Sequence, residues 1–156
     1  MRENMGLYRG KRKDNGKWIE GSLLKVTISG ETYYFIFCDD FALDGFDVKA
    51  LSRAIVDPET IGEYSSLPDK NGKRIFEGDV FRVDEDDIAV VVFKDGCFRL
   101  EIHGLCGTFT ESGFDECGGG YGVIECDPID WYYVRDIEVI GNIHDNPELL
   151  EVSGDE

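Results

Sequence analysis

The sequence predicts a mainly β protein built from small antiparallel β-barrels, SH3-like in its middle segment, with one or two short helices. Three observations predict it. Short runs rich in β-branched and aromatic residues recur along the chain. Asn-Gly and Asp-Gly pairs, the residues that two-residue hairpin turns demand, flank several of those runs. Helical periodicity is weak outside Phe46–Ala54 and a short turn at Pro147–Leu150.

The elements follow in chain order. Asn15-Gly16-Lys17-Trp18-Ile19-Glu20-Gly21 reads as a hairpin turn leading into a strand that reaches a glycine, whose small size permits a bulge or sharp bend. Leu23–Ser29 alternates with Leu24, Val26 and Ile28 on one face, and Gly30 supplies the turn into a partner strand over Thr32–Cys38. The opening pattern is echoed, with one inserted residue, by Asn71-Gly72-Lys73-Arg74-Ile75-Phe76-Glu77-Gly78. Val80–Val83 and Ile88–Phe93 flank the acidic turn Asp84–Asp87, and Asp95-Gly96 turns the chain into Cys97–Ile102, making three consecutive antiparallel strands. A Gly-Asp before a strand, a short polar turn and a second strand ending in Asp-Gly is the plan of SH3-like barrels, with Gly78 allowing the strand to curve and Asp79 bonding nearby amides. Trp131–Val134 and Ile137–Ile143 read as late strands. Asn146 is placed to cap the last turn, with Pro147 at its first helical position. The whole is one domain, divisible into two β subdomains at about 1–56 and 57–150, with a disordered acidic tail at 151–156.

Charge narrows the function. The 156 residues hold 33 acidic and 16 basic side chains, a net of −17, which disfavours direct nucleic-acid or anionic-membrane binding. Its distribution is uneven: residues 1–25 carry seven basic against three acidic side chains, whereas from Leu100 onward Arg135 is the only cation. Apolar runs fall far short of the ~20 residues that cross a bilayer, and the N-terminus carries no signal-like stretch, so a cytoplasmic location is expected. The five cysteines are odd in number and never form Cys-x-x-Cys, which predicts free thiols.

No chemical constellation stands out. His103 between Cys97 and Cys106 lacks the close-spaced ligand pairs of a zinc site, and Ala89 stands where a calcium loop starting at Asp84 needs glycine. Cys117-Gly118-Gly119-Gly120-Tyr121-Gly122 lacks the Gly-Lys-Ser/Thr of a phosphate loop and reads as a mobile loop. No catalytic residue, metal or cofactor is expected.

Several segments together resemble the YopX family of phage and prophage proteins. They are Tyr8-Arg9-Gly10 with the first Asn-Gly segment, Val56–Tyr64, Leu67, Asp69–Lys73, Ile75–Asp79, and Glu138-Val139-Ile140-Gly141-Asn142-Ile143-His144-Asp145-Asn146-Pro147-Glu148-Leu149-Leu150. The resemblance implies a small, mainly β, phage-encoded protein of unassigned role in the cytoplasm of a bacterial host, and it supplies no catalytic residues. Ser65-Ser66 and Pro68 depart from it where the family more usually has a Thr-Gly turn and no proline. Gly104–Gly122 reads as an insertion. The residues expected to shape the fold are Asn71, Gly72, Gly78, Asp79, Gly141 and Asn142, and those expected to meet a partner are Trp18, Tyr64, Tyr132 and Tyr133. The leading expectation is a non-enzymatic module that binds a protein or self-assembles into a homo-oligomer. The alternatives are an acidic DNA-mimic-like inhibitor of a host nucleic-acid-binding protein and an enzyme of unknown type.

Overall fold

A computed structural model describes residues 6–38, 48–82, 88–110, 113–128 and 136–150. The chain is mainly β, with two antiparallel sheets, and divides into two compact units, Met1–Ser66 and Leu67–Glu156.

The first unit holds β1 (Leu7–Lys11), β2 (Trp18–Ile28), β3 (Glu31–Phe37), α1 (Val48–Ala54) and a 3₁₀ turn at Pro58–Thr60. β4 (Gly62–Pro68) begins in it and runs past the division. Its strands are ordered β3-β2-β1-β4. β2 is longer than the expected strand from Leu23: it starts at Trp18 and pairs first with β1, from Lys11↔Trp18 to Leu7↔Ser22, then with β3, from Ser22↔Phe37 to Ile28↔Glu31. Gly21 therefore does not end a strand. It sits inside one, where the backbone of β3 passes so close that a Cβ would lie 2.0 Å from the Phe37 carbonyl oxygen. At the β2–β3 turn both Ser29 and Gly30 have positive φ, 52° and 88°, as a type I′ turn requires.

Ile36, Ala54 and Val56 are fully buried in this unit. Gly10 lets β1 approach them, since a Cβ there would meet Ile36 and Val56 at 3.2 Å. The predicted helix from Phe46 is observed from Val48; residues 46 and 47 lie outside the described set. After α1 the chain ties two strand ends together. Ile55 bridges Phe35, the Val56 N–H donates to the Tyr34 carbonyl, and the Asp57 N–H donates to the Lys11 carbonyl. Thr60 Oγ1 accepts from the Lys11 N–H at 2.8 Å and donates to the Asp57 carbonyl at 2.8 Å.

Ser66, the last residue of this unit, has φ 69°, a left-handed conformation that costs a non-glycine residue roughly 1–2 kcal/mol. Ser66→Gly is expected to raise the melting temperature by about 1–3 °C, the relief of strain being partly offset by the freer unfolded chain. A thermal melt showing no gain or a loss would refute this.

The second unit contains β5 (Arg74–Phe76), β6 (Asp79–Arg82), β7 (Ile88–Lys94), β8 (Cys97–Thr110), β9 (Gly113–Pro128), β10 (Val139–Asn142) and a 3₁₀ turn at Pro147–Leu149. Its sheet is ordered β10-β6-β7-β8-β9, so the three expected central strands are consecutive neighbours. Asp95 and Gly96, at φ 53° and 80°, form the expected left-handed pair between β7 and β8. Residues 79–81 and 88–91 are buried throughout, because both faces of this sheet are covered. Ile75, Phe81, Val91 and Val139 pack on one side beneath Leu67, Phe98, Leu100 and Ile137. Val80, Ile88 and Val90 pack with Val92, Ile143, Leu149 and Leu150. Burial on both faces explains why Ala89-Val90-Val91-Val92 is continuously apolar rather than alternating.

Two expectations are corrected here. The segment Cys117–Gly122, expected as a mobile loop, is strand: β8 continues to Thr110 and β9 pairs back along it, from Thr110↔Gly113 to Arg99↔Pro128. Between Leu105↔Tyr121 and Gly107↔Glu116 the register shifts, so Cys117–Gly120 opposes Cys106 alone, and the glycine cluster supplies the bulge's backbone freedom rather than a mobile loop. Asn146 occupies the N-cap position of the last turn, but its side chain makes no capping hydrogen bond. Its Oδ1 accepts from the Asn142 N–H and its Nδ2 donates to Glu148. Asp84–Asp87, Trp131–Val134 with Tyr132 and Tyr133, and the tail at 151–156 lie outside the described residues.

Candidate functional site

The segments that carry the family resemblance in the second unit converge on backbone, not on a reactive centre. Asp69 is 5% exposed, and its carboxylate accepts three backbone N–H groups. Oδ1 takes those of Asn71 (2.8 Å) and Lys73 (2.9 Å), and Oδ2 takes that of Val139 (3.2 Å), seventy residues away. Burial alone would raise its pKa, but the amides of Lys73, Val139 and Asn71 outweigh it and hold the carboxyl below its ordinary range. The Gly72 N–H donates to the Asp69 carbonyl and Gly72 has φ 80°, so the Asn71-Gly72 turn closes around this aspartate. Lys70 adds a second tie: its N–H donates to the Ile137 carbonyl and its ammonium pairs with Glu138 at 2.8 Å on the exposed side. Sequence reasoning placed Asp69 in the family segment without giving it a role. The available signal was local: an aspartate two residues before Asn-Gly is the pattern of a side chain bonding its own turn.

Gly78 and Asp79 sit where β6 begins. The Gly78 N–H donates to the Val91 carbonyl and its own carbonyl accepts from Ile143. Its φ is 84°, while a Cβ would meet Ile143 only at 3.4 Å, so the requirement for glycine is conformational rather than steric. Asp79 is buried and its Oδ2 accepts from the Phe76 N–H at 2.9 Å. Gly141 is the tighter site: a Cβ would lie 2.5 Å from Asn146 Oδ1 and 3.0 Å from Leu149. Asn142 Oδ1 accepts the N–H groups of His144 and Asp145, both at 3.0 Å, and its Nδ2 donates to Asp145.

The surface features lie on the first unit. Trp18 opens β2 directly opposite Lys11, and two cations lie over its ring, Arg9 at 4.8 Å and Lys11 at 5.4 Å from the centroid. Arg9 is buried, and Tyr8 beside it pairs across to Glu63; burial, and then the Glu63 carboxylate, raise the phenol pKa. Further along the same strand Leu24 and Ile28 are 48% and 56% exposed. They share a face with half-buried Val26, and across the ribbon stand Phe35, Tyr33 and Glu31. The ribbon therefore carries an exposed apolar row. Period-two alternation marked Leu24, Val26 and Ile28 as one face, but it did not tell which face was covered.

The remaining sequence candidates are placed as follows. Tyr64 is buried in β4 at 8% exposure; burial at Gly62 and Tyr64 alternates with more open neighbours, so its face of the strand points inward. His103 Nε2 pairs with Glu101 at 3.2 Å, while Cys97 Sγ donates to the Lys94 carbonyl. Cys97 and His103 are six residues apart on one extended strand, about 20 Å, too far for a thiol–imidazole pair. Among the described residues no helix is long and apolar enough to cross a membrane.

Comparison with known proteins matches the YopX protein family model over residues 7–151. A crystal structure of protein EF1440 from Enterococcus faecalis is similar at 21% identity and a TM-score of 0.40, covering 93% of this chain and 97% of that chain. No curated protein matches.

Proposed function

This chain belongs to the YopX family, and from that premise we propose that it is a non-enzymatic module that binds a protein partner or further copies of itself. The reading includes a phage or prophage source and action in the cytoplasm of a bacterial host. The observation that carries it is the row Leu24, Val26 and Ile28 on the β2–β3 ribbon, with two of its three side chains about half exposed. Covering such side chains returns roughly 25 cal/mol per Å² of apolar surface, which an isolated surface residue never recovers. The rigid ribbon, closed by a type I′ turn, holds the row at little further entropic cost. Part of the same proposal is that the first unit closes as a small barrel, supported by residues 55–56 tying the outer edge of β3 to the end of β1, and that β6–β8 are SH3-like.

The test is comparative co-purification from phage-carrying host cells. The parent is expected to retain a protein that the Leu24→Glu/Ile28→Glu double variant loses, with the variant's melting temperature within about 2 °C of the parent because both positions are exposed. Identical recoveries from parent and variant would overturn the assignment to this row.

A further inference from the structure

We propose that the turn joining β1 to β2, with Arg9, Lys11 and Trp18 behind it, docks the acidic half of a second copy of this chain, so that copies join head to tail. The inference rests on the binding-module reading but uses a different surface from the Leu24–Ile28 row, and its test does not depend on that row.

The turn is a rigid presenter of positive charge. The Arg12 N–H donates to the Lys17 carbonyl, the Gly16 N–H to the Arg12 carbonyl, and the Lys17 N–H to Asn15 Oδ1, each at 2.9 Å. Gly16 takes the left-handed φ of 69° that the closure needs. Asp14, the one acid within the turn, is matched by Arg12, which leaves the exposed Lys13 and Lys17 to set the sign of the turn's field. At its base lies Trp18, with Arg9 and Lys11 over its ring. Tryptophan is among the side chains that most often dominate interface energetics, and a ring held by two cations needs no reordering on contact.

The occupant is identified by charge. Residues 1–25 carry a net of +4 in a chain of −17, and the sequence from Leu100 onward holds 14 acidic side chains and one cation, Arg135, a net of −13. A basic turn and an acidic stretch of sequence on different parts of one chain make a heterologous contact, which repeats from copy to copy as a ring or an open chain instead of closing as a two-fold dimer. Two bodies of −17 nevertheless repel at long range. The Debye length is about 30 Å at 0.01 M salt, about 8 Å at 0.15 M and about 3 Å at 1 M. Low salt lets the whole-body repulsion win, high salt screens the contact itself, and association peaks between them.

Sedimentation equilibrium of the full chain at roughly 10 mM, 150 mM and 1 M salt tests this. The parent is expected to exceed the monomer mass at the intermediate salt and to approach it at both extremes. The Lys13→Glu/Lys17→Glu variant is expected to stay monomeric throughout, with an unchanged melting temperature because both side chains are exposed. Mixed with the parent, that variant keeps its acidic half and lacks the docking turn, so it is expected to cap growth and lower the average mass below that of the parent alone. A parent that is monomeric at every salt, or a variant that assembles as the parent does, overturns the proposal. So does assembly that only strengthens with salt, which would mark an apolar contact. Binding of a duplex DNA probe at the turn in place of self-association would equally overturn it.

Discussion

Asp69→Ala is expected to lower the melting temperature by roughly 6–12 °C, from a loss of about 3 kcal/mol at ~2–4 °C per kcal/mol. The change removes the common acceptor of three backbone N–H groups, two in the Asn71-Gly72 turn and one on β10, and the Val139 bond is itself buried. An unpaired buried donor costs about 1–3 kcal/mol, so even partial rescue by water leaves a large deficit. The pH dependence separates this role from a packing defect. Because the folded-state pKa is depressed, the carboxylate's contribution is fully present above the unfolded value near 3.9 and is lost as pH falls through the lower folded value. The stability gap between parent and Asp69→Ala is therefore expected to be largest at neutral pH and to shrink below about pH 4. Chemical denaturation of both proteins at pH 7 and pH 3 checks it, and a gap that stays constant refutes the assignment.

Gly21→Ala is expected to have a larger effect than the same change at Gly6, Gly10, Gly16 or Gly30 of the first unit. The added Cβ would meet main chain, with the Phe37 carbonyl oxygen at 2.0 Å, its carbon at 2.4 Å and the Cys38 nitrogen at 2.8 Å. Backbone cannot swing aside as a side-chain end can, so β2 and β3 must separate where Ser22 pairs with Phe37. Overpacking ordinarily costs about 1–3 kcal/mol, and a main-chain clash lies at or beyond the top of that range. Gly16→Ala is the matched control: it has the left-handed φ but nothing within 4 Å, so it should cost only the roughly 1–2 kcal/mol of backbone strain. Amide proton spectra of both variants report the outcome, with dispersion over residues 7–37 lost in Gly21→Ala and kept in Gly16→Ala. Equal stability of the two would show that β3 does not approach β2 as described.

The fold's central elements were legible because their determinants are local. A type I′ turn needs two residues at positive φ, and Asp95-Gly96 names that turn by itself. Alternation placed Leu24, Val26 and Ile28 on one face, and the unbroken apolar run at 88–93 marked a strand, whose burial on both faces over 88–91 the structure added. The long β8–β9 hairpin was not legible. Glycines weaken strand propensity, and it is the pairing of one strand with the other, through a bulge at Cys117–Gly120, that makes an extended backbone favourable there.

The same division holds for the sites. The amino-acid sequence by itself determined the mainly β class, the hairpin turns, the family and the separation of a basic start from an acidic second half. Only the tertiary structure decided that Tyr64 is buried while Leu24 and Ile28 are open, and that Gly21 faces a carbonyl rather than a bend. It also decided that Asp69 gathers amides from two segments seventy residues apart and that Arg9 and Lys11 close over Trp18. Periodicity and turn chemistry depend on neighbours a few residues along the chain, so they can be read from the order of residues. Burial, close approach and shared acceptors depend on which distant segments meet, which is settled only when the strands pair.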